Sequence, residues 1–286
     1  MRTLRTVADL RAALAPIRAR GSLGFVPTMG ALHDGHLALF RTARATCRSV
    51  VVSLFVNPRQ FNNAADLATY PRREADDAGL ADEAGIDVLF CPAVDEMYPA
   101  GFSLRVEVDD PAGGLEGAHR PGHFRGVATI CLKLLTIVQP TDVFLGQKDA
   151  EQVVVLRRLV RDANLDVTVR VVPTVRDPDG LAISSRNARL SSAERRRALA
   201  IPAALTAGVA AHARGGDAAA AARAALGDLP IDYVTVATLD DHPTLVVAVT
   251  VGGTRLIDNV PLDQPWIGGL EPSIAAGAVD ARSHDA

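Results

Sequence analysis

The run Ser49-Val-Val-Val-Ser-Leu-Phe-Val56 restricts the fold more than any other stretch of the chain. It is nearly all apolar, so a strand built from it has no face suited to water. Such a strand belongs in the middle of a parallel sheet with helices on both sides. Its neighbours repeat a strand–helix rhythm. Leu23 to Val26 reads as a short strand ended by Pro27, which has no N–H to give to a ladder. Val7 to Arg20 reads as an amphipathic helix, with Leu10, Leu14 and Ile17 on one stripe. Helical spacing recurs over Leu37–Arg44, Glu74–Ala84, Val127–Val138 and Ala150–Ala163, and strand patterns over Val88–Cys91, Thr141–Leu145 and Val167–Pro173. The rhythm predicts an α/β fold: a doubly wound, Rossmann-like parallel sheet.

From about Val175 the pattern changes. Ser191–Ala213 and Asp217–Leu226 read as two helices joined by Gly215-Gly216. Ile231–Ala237, Leu245–Val251 and Arg255–Val260 read as strands, the last two joined by a Gly252-Gly253 hairpin. The expected organisation is a Rossmann-like domain over 1–174, a smaller α+β C-terminal lid domain over 175–267, and a disordered tail over 268–286. Ser103 to Val108 alternates like a peripheral strand. Residues 113–126 carry five glycines, two arginines and two histidines with little periodicity, which suits a mobile lid.

With 48% hydrophobic but only 4% aromatic residues, the core has to be built mostly from Val, Leu, Ile and Ala. A net charge of −3 offers no basic surface, which argues against nucleic acid or an anionic membrane as partner. Cys47, Cys91 and Cys131 are odd in number and lack CxxC pairing. That argues against a disulfide framework or a zinc site and fits a reducing, cytoplasmic setting. The N-terminus has no apolar stretch of signal-peptide length.

The chemistry concentrates at the carboxyl ends of the strands, where open α/β sheets bind ligands. Thr28-Met29-Gly30 reads as a tight turn, and Asp34-Gly35-His36 leads into a helix whose first N–H groups can cradle phosphate. His33 and His36, three apart, fall on one helical face if the helix has begun by His33. Asn57-Pro58-Arg59-Gln60 follows the buried strand, and Gly146-Gln147-Lys148-Asp149 follows Thr141–Leu145. An inward Lys148 could bind a phosphate as a point charge.

His33-Asp34-Gly35-His36 matches the HxGH signature of the nucleotidyltransferase superfamily. The longer run Val26–His36 resembles the pantoate–β-alanine ligases. Gly146–Asp149 followed by Gln152 resembles that family's GEKD run, with Gln147 in place of Glu and Ala150 in place of an aromatic residue. Ser184-Ser185-Arg186-Asn187 resembles the family's second signature, with Ile183 where Met or Leu is usual. Tyr70–Arg72, His119–Gly126 and Arg255–Asn259 extend the resemblance over roughly Val7 to Leu262.

The resemblance implies that ATP, pantoate and β-alanine give pantothenate, AMP and pyrophosphate through a pantoyl adenylate, with Mg²⁺ accompanying ATP. It implies catalytic roles for His33, His36, Lys148, Ser184, Ser185 and Arg186, with His36 the candidate proton donor. ATP would lie against Met29, Gly30, Ala31, Leu32 and the run His33, Asp34, Gly35 and His36. It would also lie against Gly146, Gln147, Lys148 and Asp149, and against Val175 and Ile183–Arg186. Gln60, Gln152 and Asn57 would hold pantoate and β-alanine, and Asp76 and Asp77 are candidate metal ligands. A homodimer is also implied. Two other readings stand beside this one. A nucleotidyltransferase acting on a phosphorylated acceptor would have little use for the uncharged pair Gln60 and Gln152. A nucleotide-binding module without catalysis would draw only on the departures Gln147 and Ala150.

Overall fold

The computed structural model describes residues 1–109 and 115–263. The expected tail, 268–286, lies outside the described residues, as do 110–114 around the start of the expected lid. The elements run β1 (Arg2–Leu4), α1 (Val7–Arg18), β2 (Leu23–Thr28), α2 (Asp34–Thr46), β3 (Ser49–Leu54), α3 (Ala64–Thr69), α4 (Glu74–Glu83), β4 (Val88–Phe90) and α5 (Val94–Met97). They continue with α6 (Glu116–His119), α7 (His123–Val138), β5 (Asp142–Gly146), α8 (Ala150–Asp162) and β6 (Thr168–Val172). The last part holds α9 (Ser192–Ala198), α10 (Ala200–His212), α11 (Ala218–Leu226), β7 (Ile231–Leu239), β8 (His242–Val251) and β9 (Thr254–Pro261).

β1 to β6 form one parallel sheet in the order β1-β4-β3-β2-β5-β6. The order reverses at β2, so the crevice beside its carboxyl end is the topological switch point at which such sheets bind ligands. β3 is the doubly buried strand its composition demanded. Val51 packs on one face with Leu10 and Leu14 of α1 and Val127 and Leu134 of α7. Val50 and Val52 pack on the other with Leu39 and Phe40 of α2. β7, β8 and β9 form a separate antiparallel sheet covered by α10 and α11. Leu115, Ala150 and Val154 pack with Leu239 and Val246, which joins the two sheets through a shared apolar seam.

Several local expectations change. Pro27 lies within β2, not after it. Pairing toward β5 covers Gly24 and Phe25 only, while pairing toward β3 continues to Thr28, so Pro27 sits where one side of the ladder has already opened. Residues 103–108 form no strand; Val106 donates its N–H to the Thr129 hydroxyl of α7 at 3.0 Å, and the segment packs on that helix instead of on a sheet edge. The helix expected over 191–213 is two, α9 and α10, because Pro202 cannot donate to the carbonyl four residues back. Ser191 and Glu194 close a capping box at the start of α9.

Residues 115–126 are not a free loop. They form α6 and the first turn of α7, which begins at His123. Glu116 is buried and takes the Tyr233 hydroxyl at 2.9 Å, the Arg255 guanidinium, and Arg120 at 3.5 Å. Composition hid this anchoring because the partners Tyr233 and Arg255 lie more than 100 residues away, on β7 and β9.

Candidate active site

Four loops meet at the carboxyl edge of the parallel sheet. The first follows β2. Its geometry depends on Gly30, which has φ +81° and whose added Cβ would stand 2.8 Å from Asp77 Oδ2. Ala31 follows, also left-handed at φ 53°. The N–H groups of Ala31 and Leu32 then point at one carboxylate, donating to Asp77 Oδ2 and Oδ1 at 2.9 and 2.8 Å. Of the two aspartates expected to bind metal, Asp77 is buried and holds the loop, whereas Asp76 is exposed on the same helix. A one-residue step turns a helix by about 100°, which separates the two side chains. Among the described residues no group of three or more His, Cys, Asp or Glu side chains could hold a metal ion.

His33 caps α2 and His36 lies on its first turn, with ring centroids 4.1 Å apart. The His33 backbone N–H donates to His36 Nδ1 at 3.3 Å, so in the neutral imidazole Nε2 carries the proton. Burial, and then His33, push the His36 pKa down to about 3, with Lys148 adding to the shift. Burial and Lys148 also lower His33. The site therefore presents His36 as a neutral N–H donor at a helix start. His33 Nδ1 is buried against Gly35 on the first turn of α2, where its ring and the His36 backbone N–H form the other half of a capping box.

The second loop follows β3. Pro58–Gln60 forms a single 3-10 turn against α7. The approach is so close that a Cβ on Gly126 would lie 2.2 Å from the Arg59 carbonyl oxygen. Asn57 is 1% exposed and fully engaged. Its Nδ2 donates to Gln60 Oε1 at 2.8 Å and to the Gly126 carbonyl at 3.1 Å, and its Oδ1 accepts from the Tyr98 hydroxyl at 2.7 Å. Asn57 thus supports Gln60 and has no group left for substrate. Gln60 Nε2 reaches Met29 Sδ at 3.0 Å, which ties this loop to the first.

The Gln60 carbonyl receives His123 Nδ1 at 2.9 Å, and Arg120 approaches His123 Nε2 at 3.2 Å. A carbonyl only accepts and a guanidinium only donates, so His123 is neutral with its proton on Nδ1. Burial, then Arg120, lower its pKa to about 4. Unfolded histidine titrates near 6.5. Between about 6.5 and about 4 unfolding therefore takes up a proton, and stability falls as pH is lowered. Unfolding free energies from urea titration should fall from pH ~6.5 to ~5 with a slope up to about 1.4 kcal/mol per pH unit for each such histidine. A flat profile over that interval would contradict a neutral His123.

The third loop follows β5. Gln147–Asp149 forms a 3-10 turn and Gln152 stands half-buried on the first turn of α8. Asn259 of β9 grips this turn, donating to the Gln147 and Lys148 carbonyls at 3.0 and 2.9 Å. The Gln147 amide answers by donating to Asn259 Oδ1 at 3.2 Å. The side chain that stands in place of Glu at position 147 is thereby held by this one bond to Asn259. Lys148 is 17% exposed and lies 3.4 Å from Asp149 Oδ1. The surrounding loops partly desolvate the half-exposed Asp149 and oppose its ionisation, but Lys148 and Arg186 hold its carboxyl below the usual range.

The fourth loop is a tight hairpin, in which Ile183 donates to the Val175 carbonyl at 2.9 Å, followed by the turn Ser185–Arg189. Ser184 Oγ accepts the Arg186 N–H at 3.3 Å, so this hydroxyl caps the turn. Arg186 and Arg189 face Asp66 of α3 at 3.8 and 2.8 Å. Arg176 and Asp258 anchor the hairpin to β9 with contacts of 2.6 and 3.0 Å. The cysteines are buried, with thiols pushed up to about 12 by burial, which makes them poor nucleophiles.

Residues 2–261 match the model of the family described as pantoate-beta-alanine ligase. The chain belongs to the pantoate–β-alanine ligase family. It is 49% identical to the pantothenate synthetase of Cereibacter sphaeroides over 276 residues, covering 91% of this chain and 99% of that protein. The Acidobacterium capsulatum pantothenate synthetase is 48% identical over 292 residues, covering 92% and 98%. Among solved structures, the pantothenate synthetase of Thermus thermophilus matches with a TM-score of 0.86 at 45% identity over 92% of this chain and 99% of that one. The Francisella tularensis pantoate-beta-alanine ligase, solved in complex with beta-gamma ATP and beta-alanine, matches with a TM-score of 0.81 at 34% identity, covering 92% and 98%. Like those ligases, this chain pairs a parallel sheet with a small antiparallel one. Residues that the sequence reading missed include Asn259, Tyr98, Glu116 and the structural use of Asp77. Asn259 alone had a signal, since it closes the Arg255–Asn259 motif.

Proposed function

We propose that this chain condenses pantoate with β-alanine at the expense of ATP, releasing AMP and pyrophosphate. The observation that carries the reading is the convergence of two neutral, adjacent histidines with Lys148 at the switch point of a sheet of this family. A pantoate carboxylate oxygen attacks the α-phosphorus, and pyrophosphate leaves. Charge growing on the phosphate oxygens meets the His36 Nε2–H, the Lys148 ammonium and the Arg186 guanidinium. Ser184 and Ser185 shape the turn that presents Arg186 and offer hydroxyls to the polyphosphate. The β-alanine amine then attacks the acyl carbon, the amide forms, AMP leaves with the bridging oxygen, and the amine proton passes to solvent. Neutral imidazoles act here as hydrogen-bond donors, which refines the expectation of His36 as a proton-donating acid.

Gln60 and Gln152 are assigned to pantoate. Asn57 is assigned to holding Gln60, and Asp77 to holding the Met29–Leu32 loop. The described residues do not fit a protein-held Mg²⁺; the ion would travel with the ATP phosphates, and no step above runs through it. We assign 1–174 as the catalytic domain and 175–267 as the smaller one, its last residues lying outside the described part. No described helix is long and apolar enough to cross a membrane. Buried free cysteines suit a cytoplasmic protein, and the homodimer rests on the family resemblance.

Product analysis tests the reading. ATP, Mg²⁺ and pantoate alone should release pyrophosphate up to one equivalent per enzyme, and β-alanine should then bring AMP and pantothenate. Bound ATP with no pyrophosphate under either condition would contradict it.

A further inference from the structure

A glutamine amide has two ends of nearly equal size and opposite character. Which end faces the pocket decides whether Gln60 can donate to a carboxylate or only accept. We propose that Tyr98 is a positioning residue for pantoate, acting through Asn57 to turn the N–H end of the Gln60 amide toward the substrate. The proposal rests on the assignment of Gln60 to pantoate made above.

The relay can be followed bond by bond. The Tyr98 hydroxyl donates to Asn57 Oδ1 at 2.7 Å. Two backbone groups agree with that orientation: the Arg59 N–H, which can only donate, lies 3.3 Å from Oδ1, and the Gly126 carbonyl, which can only accept, lies 3.1 Å from Nδ2. The remaining Nδ2–H goes to Gln60 Oε1 at 2.8 Å. With its oxygen turned toward Asn57, the Gln60 amide presents its N–H end on the other side. One N–H of that end reaches Met29 Sδ, and the other is available for a ligand.

Tyr98 supplies the shortest of the bonds that orient Asn57, at a site where water cannot replace it, since Asn57 is 1% exposed. Its phenol pKa is raised by burial, so it stays a donor. Its ring is held between Phe55 and Phe102, with centroids 6.0 and 5.0 Å away, and the Arg59 guanidinium lies 4.6 Å over it. Tyr98→Phe would keep this packing and delete only the hydroxyl.

The test is the Km for pantoate and for ATP in Tyr98→Phe, Gln60→Ala and the double variant. Tyr98→Phe should raise the pantoate Km roughly fivefold, the size of one lost hydrogen bond, without a comparable rise for ATP. In the Gln60→Ala background the same change should have no further effect on the pantoate Km. Parallel rises for both substrates, or additive effects in the double variant, would overturn the relay. A raised pantoate Km in Gln60→Ala with no change in Tyr98→Phe would also overturn it, while leaving the assignment of Gln60 intact. An unchanged pantoate Km in Gln60→Ala would remove that assignment and the proposal with it. Asn57→Asp guards against a Tyr98→Phe that fails to fold. Its carboxylate cannot donate to Gln60 Oε1, so the amide must turn, and the pantoate Km should again rise selectively; no selective rise would overturn the relay.

Discussion

His36→Ala is expected to slow pantoyl adenylate formation by about 10²–10³-fold, the usual cost of removing one preorganised donor to developing charge, about 2.7–4 kcal/mol. Three features make His36 the residue with most to lose. It stands on the first turn of α2, where unpaired amides already favour negative charge. Its Nδ1 is engaged by the His33 N–H, which aims the protonated Nε2 away from the backbone. It is neutral, so it enters the reaction without the desolvation cost of a buried cation. Single-turnover measurement of pyrophosphate release reads the adenylation step by itself. A rate within a few-fold of the parent would remove His36 from the transition state.

Arg176→Ala should cost about 3–5 kcal/mol of stability, because it leaves a buried carboxylate without its counter-charge. The Asp258 side chain is 1% exposed and that of Arg176 13% exposed, and the pair is joined by two hydrogen bonds. The neighbouring N–H of Asn259 also donates to Asp258 Oδ1, at 2.8 Å. Loss of the arginine therefore loosens the residue that holds the Gln147 and Lys148 carbonyls, and catalysis should decline along with stability. Replacing both partners with apolar residues, Arg176→Met with Asp258→Leu, should recover much of the stability, since no charge is then stranded. Urea unfolding of the single and double variants measures both effects. A loss below ~1 kcal/mol in Arg176→Ala, the level of an exposed pair, would show that water reaches the carboxylate.

The parallel sheet could be read from local pattern because its determinants are local. An all-apolar run such as Ser49–Val56 has one stable setting, and the amphipathic stripe of α1 has one face to bury. The HxGH turn and the Ser184–Arg186 turn were legible for the same reason: each is a short contiguous motif. The positions that escaped are those whose partners are distant in sequence. Asp77 reads, with Asp76, as a candidate metal ligand until the left-handed Gly30 and Ala31 turn two N–H groups onto it. Asn57 reads as a polar residue after a strand and therefore as a ligand; its bonds to Tyr98 and Gly126 instead use up its side chain. The segment 113–126 reads as a mobile lid because its glycines are visible and the partners of Glu116 are not.

Transfer of a labelled oxygen tests most directly whether pantoate is activated by attack of its own carboxylate on ATP. Pantoate carrying ¹⁸O in the carboxylate is incubated with ATP, Mg²⁺, β-alanine and the enzyme, and the AMP is analysed by mass spectrometry. One ¹⁸O atom in each AMP formed is the predicted result, because the bridging oxygen leaves with the phosphate. AMP without label, or ADP as the product, would contradict a pantoyl adenylate and the roles assigned to His36, Lys148 and Arg186.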